Sequence, residues 1–213
     1  MTATPQAAGA AAASAAAAAR LRFFIEFVSR WMNYTAGWVF VFCALFVTFD
    51  VFARSFLGFS SQSTTELTGY MLAFGIAWGL PHALATRNHV RIDMILNKVP
   101  LRGRQYLHLF ALSLLGVLAG FLSFGAVELV QESLDFGATD NSLLRTPLAL
   151  PQGLWTVGIV VFFILIVAMM IETLLLIVAG QAEAVDRLLG PRSYTEEAAE
   201  ALEAVAVSRQ DTK

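Results

Sequence analysis

Apolar residues run through this chain in long unbroken blocks. Four blocks approach the length of about 20 residues that a helix needs to cross a bilayer. The first runs from Trp31 to Phe49 without an ionisable side chain, and the second covers Leu67 to Thr86, interrupted only by His82 and a late Pro81. The third is Leu109 to Val127, and the fourth runs from Leu154 to Ile171 and, past Glu172, to Ala179. Continuous runs predict helices, whereas a membrane barrel would show ten-residue alternations. The expected fold is an all-α membrane protein, a bundle of four transmembrane helices at about 31–53, 67–86, 106–130 and 154–179 within a membrane domain of residues 20–181.

The connections add one further element. Between the second and third blocks, Ile92, Ile95, Leu96 and Val99 recur at helical spacing while Arg91 and Lys98 fall on the other face. Asn88 is placed to cap such a helix and Pro100 to stop it, so a short amphipathic helix in the membrane interface is expected there. His89 and Asp93 stand four apart and share a face. Residues 1–19 form an alanine-rich leader with no charge ahead of it, unlike a secretory signal. Residues 182–213 form an acidic tail with Glu196, Glu197, Glu200 and Glu203, expected to be a frayed helix or disordered.

Composition agrees with the pattern. Of the 213 residues 57% are hydrophobic and only 14% charged, too few charges to clothe a soluble domain. Twelve of the fourteen Lys and Arg lie before the first span, between the second and third, or in the tail, and the other two loops hold only Arg54 and Arg145. That asymmetry places both termini and the middle loop in the cytoplasm. The net charge of −2 offers nothing to nucleic acid. The lone cysteine, Cys43, excludes an internal disulfide and dithiol redox chemistry. No zincin, P-loop or G-x-S-x-G motif is present, so no enzyme is expected and no cofactor is required.

A few polar groups remain within or beside the spans. Asp50 and Arg54 stand one turn apart and are spaced to pair at the outer end of the first span. Glu172 lies about two turns inside the fourth span and has no basic residue three or four positions away. It must snorkel, stay protonated or meet a partner on another helix, and an interhelical contact is the simplest solution. As a proton relay it would instead make the chain an ion-coupled transporter in its own right. His82 and His108, both near the inner interface, leave open a haem-binding or quinone-side anchor of an oxidoreductase.

Small residues carry more information. Gly69, Ala73 and Ala77 recur every four residues along the second span, as do Gly75 and Gly79, and the two rows point in roughly opposed directions. Such rows let helices approach closely in lipid. They predict a helix sandwiched between its own bundle on one side and something else on the other. Gly116 and Gly120 repeat the spacing in the third span.

Specific residues also resemble a known family. Arg54-Ser-Phe-Leu-Gly after the first span, Thr65-Glu-Leu opening the second, Trp78-Gly79, Arg87-Asn-His-Val-Arg-Ile-Asp93 and Pro151-Gln-Gly-Leu-Trp155 are similar to the small membrane subunit, the DctQ-like small permease, of tripartite ATP-independent periplasmic (TRAP) transporters. The resemblance covers roughly residues 31–180. One departure stands out. The family usually carries an aromatic residue just before the glutamate of the second span, whereas Gln62 to Thr65 here are small or polar.

The resemblance implies a scaffold subunit of a secondary-active transporter, usually sodium-driven, in the bacterial inner membrane. A periplasmic binding protein would deliver small organic acids to a large elevator-type membrane subunit, which this chain would brace. It also implies structural or interface roles for Arg54 and Glu66 at the outer loop, for His89, Arg91 and Asp93 at the inner helix, and for Gly69, Gly75 and Gly79 in packing. The bare sequence agrees, since it lacks the paired broken spans of a chain carrying its own midplane site.

Overall fold

The computed structural model describes residues 5–59, 63–87, 99–142 and 144–190, together with residues 198 and 202. Helix α1 spans Pro5–Phe52 and passes into a π-helical turn, Ala53–Leu57. Helix α2 spans Thr64–Ala85, α3 Leu101–Asp135, α4 Ala149–Val178 and the short α5 Ala182–Leu189. The expected amphipathic helix, with His89, Arg91 and Asp93, lies outside the described residues. Among the described residues no strand forms, and the α3–α4 connection contains one isolated bridge, Thr139 to Pro147.

Alanine is the strongest helix former, so from Pro5 the alanine-rich leader joins the first apolar block in one helix of 48 residues. Its length of about 72 Å is more than twice a hydrocarbon core of about 30 Å, so a large part of α1 must project beyond any bilayer it crosses. Gly58, at φ 71°, ends the π-helical turn in the left-handed conformation that glycine adopts without penalty.

Pro81 sits inside α2 and is fully buried. Lacking an N–H, it leaves the carbonyl of Ala77, four residues earlier, without its helical donor. Gly158 of α4 lies against that carbonyl: a Cβ added there would stand 2.7 Å from both the C and the O of Ala77. The Ala77 side chain is itself fully buried. The two backbones therefore approach as closely as small residues permit.

Helix α4 is the hub of the fold. It packs against α1, α2, α3 and α5, while α1 and α2 also pack on each other. Helix α3 finds its extended packing on α4 and α5. The result is a triangle of α1, α2 and α4 with α3 laid along the free side of α4. The core gathers Ile25 of α1, Leu84 of α2, Leu112 of α3, Leu165, Ile166 and Met169 of α4, and Val185 and Leu189 of α5.

Among the described residues, three helices are both long and apolar enough to cross a membrane: the segments Arg22–Leu57, Gly103–Asp135 and Ala149–Val178. Helix α2, at 22 residues, has spanning length, about 33 Å. Its glycines, Tyr70, Trp78, Pro81 and His82 leave it without a stretch as apolar as the best stretch of each of those three. Outward faces are strongly apolar, with Trp38 74%, Val117 74% and Phe121 76% exposed. Faces of this kind need lipid or a partner subunit against them.

One expectation is corrected in part: residues 182–189 of the tail form α5, a packed helix rather than a frayed or disordered segment, while Glu196, Glu197, Glu200 and Glu203 lie outside the described residues. Val185 and Leu189 bury themselves in the core and outweigh the polar composition around them. The two small-residue rows of α2 divide between inside and outside over most of their length. Gly75 receives the Phe40 ring and Gly79 faces the Asn33 amide, both on α1, while Gly69 and Ala73 of the opposite row are exposed and only its last member, Ala77, meets α4. Of the α2 glycines, Gly69 alone has open space where a Cβ would stand. Two glycines of the third span turn to α4, Gly116 facing Ile166 and Gly120 facing Phe163, while Gly125 has open space.

Candidate functional site

Buried polarity collects at the two ends of the bundle. At one end, where α4 finishes, Glu172 is 6% exposed and accepts a hydrogen bond of 2.7 Å from Arg22 Nε of α1. Arg22 also pairs with Glu26 one turn along α1, so a single guanidinium serves two carboxylates. The partner that Glu172 requires is thus supplied by α1, 150 residues away in the chain. Ser29, fully buried, returns its hydroxyl to the Glu26 carbonyl.

Helix α5 is fastened to the same end. Asp186 accepts from Arg104 Nη1 at 3.2 Å and stands 3.4 Å from His108 Nε2, both on α3. Arg87, in the turn after α2, donates to the carbonyl of Arg187. Hydrogen bonds to charged groups are worth about 1.5–3 kcal/mol when buried and less when part-exposed. We therefore expect Asp186→Ala to cost about 1–2 kcal/mol and to free α5 locally. Limited trypsin digestion should then cut after Arg187 many-fold sooner than in the native chain, while the long helices stay intact.

At the opposite end, Arg54 pairs with Asp50 at 2.9 Å, the aspartate 3% exposed and the arginine side chain 65% exposed. Glu66, in the first turn of α2, lies 3.2 Å from the hydroxyl of Tyr70, which donates to Asp140 in the α3–α4 connection at 2.9 Å. Trp78 Nε1 donates to the Leu154 carbonyl at 2.7 Å and ties the middle of α2 to the start of α4. Between the ends, buried hydroxyls are spent on backbone carbonyls: Ser123 on Ile159, Thr156 on Gln152 and Ala126, Thr173 on Met169.

Of the residues singled out from the sequence, Arg54, Glu66 and Glu172 fall at these polar ends, Gly75 and Gly79 at the α1–α2 contact, and Gly69 on an open face. The buried His108 directs Nε2 toward Asp186, the position an axial iron bond would need, and the haem reading gains no support. Sequence reasoning missed Tyr70, four residues after Glu66 and so visible as a pair on one face, and Gly158, which belongs to no four-residue row.

The helices, their lipid-ready faces and the pairing of the buried Glu172 and Asp50 within the chain define a multi-pass membrane protein held together by packing. The chain belongs to the DctQ component family of the tripartite ATP-independent periplasmic transporters, whose family model matches residues 43–176, more than half of the 213. No curated protein and no solved structure matches the chain. It is therefore the small component of a TRAP transporter, a transporter family rather than an enzyme family, and a component of this kind implies a large membrane subunit and a periplasmic binding protein. The match includes Arg54, Glu66 and Glu172 but leaves out Arg22 and α5, so the fastening at the Glu172 end joins matched residues to partners beyond the match.

Proposed function

We propose that this chain is the stationary brace of a sodium-coupled transporter for small organic acids. The large subunit holds the substrate and ion sites and moves against it, and the periplasmic protein delivers the substrate. In this reading α2 is a fourth span beside α1 and α4. Both termini and the middle loop face the cytoplasm of a bacterial inner membrane, in keeping with the distribution of arginine and lysine. One observation carries the proposal: Glu172 and Asp50, carboxylates buried in the long apolar helices, are each neutralised by an arginine of the same chain. A group committed in this way holds a scaffold together, whereas a transport site keeps its polar groups available to cargo. Arg54, Glu66, His89, Arg91 and Asp93 then set the outer and inner rims. Gly69, on its open face, is the α2 glycine available to a neighbouring subunit.

Reconstitution tests this. Proteoliposomes with the large subunit, this chain and the binding protein should accumulate organic acid under an inward sodium gradient. Omitting this chain should abolish uptake, and this chain alone should show none. Uptake by the isolated chain would overturn the proposal.

A further inference from the structure

Tyr70 joins two features of the outer half of the bundle. Its side chain forms part of the wall of an open-sided crevice of about 240 Å³, completed by Val39 of α1, Met71 and Phe74 of α2, and Pro151 and Leu154 of α4. Its hydroxyl stands between two carboxylates, 2.9 Å from Asp140 and 3.2 Å from Glu66. A phenol has one proton to donate, so the pair holds more acceptors than Tyr70 can serve. Neither carboxylate forms an ion pair with a basic side chain among the described residues. Glu66 Oε2 has no hydrogen-bond partner there either. An apolar channel open to lipid therefore adjoins a patch of uncompensated negative charge, and one side chain belongs to both.

We propose that this crevice binds a phospholipid whose head group carries a primary ammonium, with one acyl chain along the apolar wall and the ammonium on Glu66 and Asp140. The crevice is smaller than the roughly 300–1,000 Å³ of pockets that enclose small molecules, and it is open along its side, as suits a stretch of hydrocarbon chain. Charge complementarity selects the head group. An ammonium brings a positive charge and several N–H donors to a site with surplus acceptors. A quaternary choline brings the charge without the donors, and a glycerol head group leaves the phosphate charge facing the carboxylates. Glu66 lies in the first turn of α2, at the depth where head groups sit beside an outer helix end, and Tyr70 is the amphipathic residue expected at that level. The inference rests on the chain's being in a membrane and is independent of what the complex transports.

The test is titration of the purified full-length chain with phosphatidylethanolamine, phosphatidylcholine and phosphatidylglycerol of identical acyl chains, read by native mass spectrometry. Phosphatidylethanolamine should bind roughly fivefold more tightly than phosphatidylcholine, about the net worth of one hydrogen bond that the ammonium donates and choline cannot, and phosphatidylglycerol should bind most weakly. The double variant Glu66→Gln, Asp140→Asn should bind all three alike. Tyr70→Phe keeps the ring and both carboxylates, so it should retain the preference and guards against a double variant that fails to fold. Val39→Phe, which fills the crevice, should weaken every lipid. Equal binding of ethanolamine and choline lipids by the native chain, or a preference that persists in the folded double variant, would overturn the proposal.

Discussion

Replacing Arg22 by alanine is expected to destabilise the chain by about 3–5 kcal/mol, the cost of leaving a buried carboxylate without its counter-charge. Glu172 has a side chain only 9% exposed, and Arg22 is its one ion-pair partner among the described residues. The positions three and four away on α4 are Met169, Ala168, Leu175 and Leu176, so no local rearrangement supplies another cation. Glu172→Gln should cost less, about 1–2 kcal/mol, because the neutral amide oxygen still accepts from the guanidinium. Changing both residues to methionine should recover most of the loss, since burying no charge avoids the desolvation that the pair must offset. Tryptophan-fluorescence melts in mild detergent measure all three. If Arg22→Ala melts with the native chain, the ion pair is not what compensates Glu172.

A second large loss is expected at Gly158. A methyl group there would meet the Ala77 backbone at 2.7 Å, and a main-chain carbonyl cannot turn aside as a side chain can. Overpacking of this kind costs about 1–3 kcal/mol for a small group, against which alanine regains up to about 1 kcal/mol of helix propensity. Gly158→Ala should therefore be mildly destabilising. Gly158→Leu should lose 3 kcal/mol or roughly more, because backing α4 away from α2 also loosens its contact with α1. Gly69→Ala is the internal control. With open space at its Cβ, it should gain about 0.5–1 kcal/mol in the isolated chain. Denaturation curves of the three variants decide the matter, and equal melting of Gly158→Leu and the native chain would show that the helices do not touch at this point.

The long helices were legible because lipid leaves the backbone no external hydrogen-bond partners, which forces apolar residues into uninterrupted runs. Helix α5 was obscured by its composition: its apolar face is only two turns long, and alanine and acidic residues surround it. The glycine rows of α2 showed direction but not destination, since periodicity fixes which way a residue points and not what stands there. Their neighbours, Phe40 and Asn33, lie 35 and 46 positions away. The need of Glu172 for a partner was likewise readable, while Arg22 as that partner required the fold. Glu66 and Tyr70 share a helix face by spacing alone, but Asp140 sits in a loop whose sequence has no period to betray its position.

The dependence of α3 on α4 also bears on how the chain is made. Helices α1 and α2 can pair as a hairpin as soon as both have emerged from the ribosome, because each is the other's neighbour. Helix α3 follows with Phe110, Phe121 and Phe124 turned outward and Gly116 and Gly120 awaiting Ile166 and Phe163, which are not yet synthesised. It must wait in the lipid or the insertion machinery until α4 arrives, and α5 comes last to seal the Glu172 end. The order of synthesis thus saves the hub for late, and the interval before α4 is inserted is when a chaperone or a neighbouring subunit has most to protect.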